Sequence, residues 1–341
     1  MTRLTAAARP LASAYDLALL DLDGVVYLLE EPIPEAAAAV AALPGFGCEP
    51  VFVTNNASRS PEAVAEALRA MDVPAEADQV LTSAQAVAEG IVQYAGPDAA
   101  VLCVGSPALR AALEAEGLAT IDEPGEAEAV AFGMTFDLGW RDLAAVTVAA
   151  RSGAFWAVTN LDDTLPTPDG PLPGTGALGR AVSTALGRGP DLVAGKPQRP
   201  IFDSALARKP GARALMVGDR PDSDIEGANA AGIDSLLVFT GVTEPASALG
   251  LPADRRPTYL GWSIGALAEP HPEVRLGEST AECGGWTAVL DGGELVLSGE
   301  GAELDGWRAL CEIAWAAADQ GRYDAGRAPR AGSGAAEKLL A

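Results

Sequence analysis

The sequence predicts an α/β protein with a Rossmann-like, doubly wound parallel sheet core, an inserted α/β cap domain and a small α+β module at the C-terminal end. Short apolar runs alternate with helix signals from residue 15 onward, as in parallel sheets that carry helices on their faces. Polar segments rich in acids and amides directly follow several of these runs. The length of 341 residues suits two domains and an appendage at about 150 residues per domain.

The first stretch of the chain predicts two strands and two helices in alternation. The apolar runs 15–20 and 50–53 predict strands that are buried on both faces, and Pro34 opens a helix over 35–43. Ser60, Pro61 and Glu62 combine a hydroxyl cap, a first-turn proline and an acid, which together predict a helix start.

A new series of strands and helices begins near residue 80, and a third stretch then resumes the first style. The middle series predicts strands over 101–104, 129–132 and 155–159 and helices over 83–94, 107–116, 141–151 and 175–186. The third stretch predicts a helix over 200–208, strands over 212–217 and 235–239, and a capping box from Ser223 to Glu226 that opens a helix. The simplest organisation is a discontinuous core, residues 1–79 and 193–268, with an inserted cap over 80–192.

Residues 269–341 are predicted to form a small α+β module after a proline-rich linker that contains His271. Short strands are predicted over 274–276, 286–290 and 294–297, and an apolar stripe at helical spacing runs from Leu304 to Ala318. The tail from Gly321 is predicted to be mobile. A module of this size is too small to be stable on its own, so we expect it to dock on the main body or on a partner subunit. A homodimer is therefore an open alternative.

Composition excludes several classes of function. The net charge of −24 and the lack of any Lys/Arg-rich run argue against binding to nucleic acid or to an anionic membrane. The single histidine argues against Ser-His-Asp triads and zinc sites built on several histidines. The four cysteines show no paired spacing, and no apolar run is long enough to span a membrane. We expect a soluble, cytoplasmic protein.

Four segments carry residues suited to chemistry: 21–25, 54–58, 195–197 and 218–224. Strand ends converge on one edge of a doubly wound sheet, so we expect Asp21, Thr54 and Asp219 to meet in space. Asp21, Asp23 and Asp219 offer the hard oxygen ligands that Mg²⁺ prefers. Thr54 and Lys196 would add selectivity for a phosphate next to that ion, and an aspartate there can attack phosphorus.

These segments resemble the four signature motifs of the haloacid dehalogenase superfamily. The matching residues are Asp21–Tyr27, Thr54–Arg59, Gly195–Pro197 with Ile201 and Phe202, and Gly218–Ile225. The arrangement is similar to the branch with a large α/β cap, which contains p-nitrophenyl phosphatases, pyridoxal phosphatases, phosphoglycolate phosphatases and glycerol-phosphate phosphatases. The resemblance covers about residues 14–265 and implies a phosphatase that hydrolyses a small phosphate monoester.

The resemblance also implies roles for the matching residues. Asp21 would be the nucleophile, and Asp23 would protonate the leaving alkoxide and later activate water. Thr54 and the backbone N–H of Asn55 would bind phosphate oxygens, and Lys196 would bind the phosphate and neutralise charge on the phosphoryl group and on Asp21. Mg²⁺ would be held by Asp21, Asp23 through its carbonyl, and Asp219, with Asp224 supporting them. Asn56 either binds phosphate or only shapes its turn, and the residues leave both readings open.

The substrate is less closely defined by the sequence. Asn160 and Asp162 lie in a segment that resembles this branch's substrate-specificity loop, where they would either bind a polyol or position the loop. The layout resembles actinobacterial glycerol-3-phosphate phosphatases, whose C-terminal region is likened to a truncated acetyltransferase. This implies glycerol 3-phosphate as substrate. Alternatives are phosphoglycolate, pyridoxal phosphate, a nucleoside or sugar monophosphate, a phosphomutase reaction, or a non-catalytic sugar-phosphate sensor.

Overall fold

The computed structural model describes residues 4–29, 31–165, 167, 169–323 and 327–341. It divides into two compact units, one made of residues 1–50 with 212–341 and the other of residues 51–211. Residues 324–326 of the predicted mobile tail lie outside the described residues. The domain bounds predicted from the sequence stay a prediction. Among the described residues, no helix is long and apolar enough to cross a membrane.

The first unit contains four parallel strands whose residues are almost all buried. Their order across the sheet is Tyr259–Gly261, Asp234–Val238, Ala214–Gly218 and Leu17–Leu20. Leu20 pairs in register with Val217, so the segments that begin at Asp21 and Asp219 leave the same edge of the sheet. A short hairpin pairs Tyr27–Leu28 with Glu31–Pro32. The α-helices of this part of the unit are Ala36–Ala42, Glu226–Ala231 and Pro245–Ala248.

The C-terminal residues of the first unit form a second sheet with two helices. Its strands, in order, are Arg275–Leu276, Thr280–Cys283, Trp286–Asp291, Glu294–Gly299 and Arg330–Ala331. The helices are Glu303–Asp319 and Gly334–Leu340. The helix Gly334–Leu340 lies in the segment that was predicted to be a mobile tail. It is packed instead, because Ala336 is fully buried in the hydrophobic core.

One hydrophobic core joins this C-terminal sheet to the parallel sheet of the same unit. Trp307, Leu310 and Trp315 belong to the same buried cluster as Leu237 and Leu260. The segment predicted as a linker is packed against the rest of the unit. His271 is only 3% exposed, and its backbone pairs with that of Ala7. The C-terminal residues are therefore packed as part of this unit.

The second unit is built on five parallel strands with helices packed against them. The strand order is Leu192–Val193, Phe155–Val158, Ala129–Phe132, Ala100–Val104 and Ala119–Ile121. The strand Glu49–Thr54, whose first two residues precede the unit, pairs in parallel with Val80–Thr82, and Thr164–Leu165 pairs with Leu172–Pro173. The helices are Pro61–Ala70, Ser83–Ala95, Pro107–Ala115, Trp140–Arg151, Thr175–Leu186 and Arg199–Ala207.

Local signals explain several helix starts, and one predicted start needs correction. Ser60 caps its helix as predicted, accepting a hydrogen bond from the Ala63 amide at 3.3 Å. The predicted capping box from Ser223 to Glu226 is wrong. Residues Pro221–Ile225 form a π-helical turn instead, and the α-helix that follows has no side-chain cap.

Candidate active site

Three buried aspartates of the first unit lie together at the carboxyl edge of its parallel sheet. Asp21, Asp219 and Asp224 each offer a carboxylate oxygen, and these atoms lie within 4.8 Å of one another. Asp21 follows the strand Leu17–Leu20, and Asp219 follows Ala214–Gly218. Three buried carboxylates at this spacing repel one another strongly unless a cation lies among them. The donor set, made only of oxygens, fits Mg²⁺.

Two glycines pack so closely against Asp219 that a side chain at either position would not fit. A Cβ atom on Gly241 would lie 2.0 Å from Asp219 Oδ2, and one on Gly24 would lie 2.6 Å from the same carboxylate. The Val242 amide donates to Asp219 Oδ2 at 2.6 Å, and the Thr243 hydroxyl donates to the Asp219 carbonyl at 2.6 Å. The acid is therefore held in one orientation by a tight backbone cradle, as expected for a metal ligand.

Asp224 is oriented by the π-helical turn. Its Oδ2 atom accepts a hydrogen bond from the Arg220 amide at 3.1 Å, and its own amide donates to the Arg220 carbonyl at 3.0 Å. A Cβ atom on Gly218 would lie 2.3 Å from its carboxylate. The turn thus brings a third acid back to the strand end that carries Asp219.

Asp23 is not among the three clustered acids. It lies in a tight turn in which the Gly24 amide donates to the Tyr27 carbonyl at 2.7 Å. Although the residue is exposed, partial desolvation of its carboxyl raises its pKa, and a hydrogen bond from the Leu29 amide at 3.3 Å opposes that shift. A raised pKa favours the protonated form that a general acid needs.

In the second unit, the predicted phosphate-binding residues and the predicted specificity loop lie together. Thr54 ends the strand Glu49–Thr54 and is 7% exposed, and Lys196 is 3% exposed. Asn160 is buried, and its Nδ2 donates to the Asn55 carbonyl at 2.8 Å. The structure thus joins residues 54–55, 160 and 196, which lie far apart in the sequence.

Asn56 shapes its own turn. Its Oδ1 accepts hydrogen bonds from the Ser58 amide at 2.8 Å and from the Ser58 hydroxyl at 2.7 Å. Thr54 Oγ1 accepts from the Asn56 amide at 3.1 Å. Of the two readings left open for Asn56, these contacts favour turn formation.

Sequence reasoning missed the side-chain role of Asn55. The prediction for this residue concerned its backbone amide, whereas its carboxamide bonds to Lys196 and to Asp162. No local pattern could have revealed this, because the partners lie 107 and 141 residues away in sequence.

Comparison with known proteins decides the family. The model of the haloacid dehalogenase-like hydrolases matches residues 18–119, and a second, HAD-hydrolase-like model matches residues 193–267. The chain is also 40% identical over 297 residues to D-glycerol 3-phosphate phosphatase of Mycobacterium tuberculosis, which covers 86% of this chain and 81% of that protein. The chain belongs to the haloacid dehalogenase-like hydrolases. Within this family it is an enzyme of the phosphatase type.

Two further comparisons support this assignment of the hydrolase. A crystal structure of glycerol phosphate phosphatase from Mycobacterium tuberculosis in complex with magnesium superposes with a TM-score of 0.88 at 36% identity, covering 97% of this chain and 98% of that one. A 5′-nucleotidase of Bacillus subtilis is 39% identical over 229 residues, covering 66% of this chain and 88% of that protein. Residues 283–341 match a GCN5-related N-acetyltransferase-like domain model.

Proposed function

We propose that this hydrolase is a Mg²⁺-dependent phosphatase that converts glycerol 3-phosphate to glycerol and phosphate. The observation that carries the proposal is the trio of buried carboxylates, Asp21, Asp219 and Asp224, at the end of two paired strands. Glycerol 3-phosphate is favoured because the similarity to the mycobacterial D-glycerol 3-phosphate phosphatase extends over 86% of this chain.

The proposed reaction has two steps on Asp21. In the first, an Asp21 carboxylate oxygen attacks phosphorus, the bond from phosphorus to the leaving oxygen breaks, and Asp23 donates its proton to the glycerol alkoxide. In the second, Asp23 takes a proton from water, whose oxygen attacks phosphorus and displaces the Asp21 carboxylate. Bound Mg²⁺ would supply positive charge that offsets the acids and the phosphoryl oxygens.

The remaining residues of the proposed site bind and orient. Asp219, supported by Asp224, would hold the metal with Asp21 and the Asp23 carbonyl. Thr54 and the Asn55 amide would bind phosphate oxygens, and the Lys196 ammonium would neutralise charge on the transferring group. Asn56 would order the turn that carries these residues, since its Oδ1 accepts two hydrogen bonds from Ser58.

A nucleoside monophosphate is the second candidate substrate. It is favoured by the 39% identity to the Bacillus subtilis 5′-nucleotidase, which covers a smaller share of this chain. A panel of about fifty metabolite monoesters with Mg²⁺, repeated with EDTA, separates the two candidates by phosphate release. The proposal predicts the highest kcat/KM for glycerol 3-phosphate and no release with EDTA. Preference for a nucleotide, or release that survives EDTA, would overturn it.

Hydrolysis can be told from phosphoryl transfer to a second substrate hydroxyl. In oxygen-18 water a hydrolase places one labelled oxygen in free phosphate, whereas a phosphomutase releases no labelled phosphate.

We propose that the substrate is a small ester and not nucleic acid, because the chain carries a charge of −24. We also propose a cytoplasmic location, since the four cysteines are free thiols that suit a reducing compartment. The predicted homodimer remains a prediction, which light scattering can test.

A further inference from the structure

The Asn55 carboxamide hydrogen-bonds with both of its polar ends. Its Oδ1 accepts from the Lys196 amide at 2.8 Å, and its Nδ2 donates to the Lys196 carbonyl at 3.0 Å. The same Nδ2 donates to the Asp162 carboxylate, 3.1 Å from Oδ2 and 3.4 Å from Oδ1. Acceptor-only groups face Nδ2 and an N–H donor faces Oδ1, so these partners define the orientation of the amide.

The backbone of Asn55 holds the 160–162 loop as well. Its carbonyl accepts hydrogen bonds from the Ser83 hydroxyl at 2.6 Å and from Asn160 Nδ2 at 2.8 Å. Asn160 Oδ1 in turn accepts from the Asp162 amide at 3.0 Å. Both polar side chains of the predicted specificity loop are therefore bonded to Asn55.

Close packing leaves this arrangement little freedom to shift. A Cβ atom on Gly195 would lie 2.5 Å from Asn55 Oδ1 and 2.7 Å from the Thr159 carbonyl. The Gly195 amide donates to that carbonyl at 2.7 Å. Segments 54–56, 159–162 and 194–196 thus meet at Asn55 without intervening space.

We propose that Asn55 is a positioning residue that sets the Lys196 backbone and couples it to Asp162. The inference rests on the proposed function, in which Lys196 neutralises the transferring phosphoryl group. Asp162 then acts through Asn55 and not by contact with the leaving group. Loss of Asp162 consequently lowers kcat by the same factor for every ester, whereas loss of a leaving-group contact would raise KM for one ester.

The first test compares Asp162→Ala with Asp162→Asn on two esters, glycerol 3-phosphate and p-nitrophenyl phosphate, with Mg²⁺. The alanine variant removes the acceptor, and we expect kcat to fall about tenfold for both esters with KM nearly unchanged. The asparagine variant keeps an acceptor oxygen for Asn55 Nδ2, so it should retain kcat within about threefold of the parent. This rescue by the conservative variant separates positioning from a need for negative charge.

The second test exchanges the two side chains. Asn55→Asp places a carboxylate against the Asp162 carboxylate and the Lys196 carbonyl, and we expect kcat to fall about 100-fold. In the double variant N55D/D162N, the carboxamide introduced at position 162 donates to the carboxylate introduced at position 55. We expect it to recover about tenfold of that loss, while the unfavourable contact with the Lys196 carbonyl remains. Circular dichroism and the urea midpoint of each variant report whether it folds.

Two outcomes would overturn the inference, and a third would contradict the proposed function on which it rests. A Asp162→Ala variant that raises KM for glycerol 3-phosphate alone would overturn it, because Asp162 would then contact the leaving group. Losses that multiply in N55D/D162N, with no recovery, would also overturn it. Parental enzyme that hydrolyses neither ester would instead contradict the proposed function, so the two failures are distinguishable.

Discussion

At the scale of single residues, the backbone encloses Asp219 so tightly that its carboxylate is fixed. Gly24 has a φ of +80°, a conformation that residues with a side chain rarely adopt, and its missing Cβ leaves room for the Asp219 carboxylate. Gly241 leaves room on another side. These glycines allow an acid to be buried in a fixed orientation, which a metal site requires.

Substitution of Gly241 by alanine should therefore weaken metal binding. The new Cβ would lie 2.0 Å from Asp219 Oδ2, so the carboxylate must move. We expect the Mg²⁺ concentration for half-maximal activity to rise about tenfold. The control is Gly45→Ala, at an exposed glycine with no heavy atom within 4 Å of its missing Cβ. Equal Mg²⁺ dependence in the two variants would show that Asp219 is not a ligand.

Replacement of Asp23 by asparagine should slow the enzyme most for poor leaving groups. The alkoxide of glycerol needs a proton as it departs, whereas nitrophenolate departs without one, so the loss of a general acid affects glycerol 3-phosphate more. We expect kcat for glycerol 3-phosphate to fall about tenfold further than kcat for p-nitrophenyl phosphate. Steady-state kinetics on the two esters measure the difference. Identical losses would remove the acid role from Asp23.

At the scale of elements, helix starts show what local patterns can and cannot predict. Ser60 was predicted as a cap because a hydroxyl, a proline and an acid in consecutive positions act locally. The Ser223–Glu226 box has the right spacing, but the chain forms a π-helical turn that brings Asp224 to the Arg220 amide. The strand Thr280–Cys283 was missed because its two buried positions carry only the small residues Ala281 and Cys283.

His271 shows the same limit, since its burial depends on elements that are distant in sequence. Its Nε2 lies 3.1 Å from the Ala266 carbonyl and its Nδ1 lies 3.3 Å from the Arg308 guanidinium. Asp305 pairs with Arg308 at 2.6 Å, and the Tyr259 ring packs edge-on with a centroid distance of 5.1 Å. Burial, helped by the Arg308 charge and opposed by the Ala266 hydrogen bond and Asp305, lowers the pKa of His271 from 6.5 to about 4.

This pKa predicts that mild acid destabilises the fold. At pH 7 His271 is largely neutral in both states, whereas at pH 5 the unfolded chain binds a proton that the folded chain does not. The free energy of unfolding should therefore fall by about 2 kcal/mol from pH 7 to pH 5 through this group. Urea unfolding at the two pH values checks this against His271→Gln, which cannot titrate. A variant that loses as much stability as the parent would contradict the prediction.

At the scale of the whole molecule, the C-terminal residues matter for stability because they complete a core. The large side chains of the helix Glu303–Asp319 pack in the cluster that contains Leu237 and Leu260 of the parallel sheet. Trp315 also donates from Nε1 to the Ala248 carbonyl at 2.8 Å. Sequence periodicity predicted the apolar stripe, whereas its partners depend on tertiary packing that no local pattern shows.

Removal of residues 274–341 should consequently leave a chain that does not fold. It would expose the apolar side chains of the shared core, among them Leu237, Leu249 and Leu260. We expect insoluble protein or a form without near-ultraviolet circular dichroism, and no phosphate release. A soluble truncated chain with the parental kcat would show that the C-terminal residues are a separable module.

The same contrast applies to the site. The acids at residues 21 and 219 could be predicted because each directly follows a buried strand, and a parallel sheet brings such ends to one edge. Asn55 could not, since its carboxamide bonds to loops 107 and 141 residues away. Residues whose role follows from their position after a strand can be predicted from the sequence. Contacts that form only through tertiary folding cannot.

The proposed mechanism requires that Asp21 carry the phosphoryl group during turnover. Enzyme turning over p-nitrophenyl phosphate with Mg²⁺ is quenched in acid, digested and mapped by mass spectrometry. We expect one phosphoryl group on the peptide that contains Asp21. In Asp21→Asn we expect no phosphoryl group there and a kcat about 10³-fold lower. A phosphoryl group on a different residue, or an Asp21→Asn variant that hydrolyses the ester at the parental rate, would contradict it.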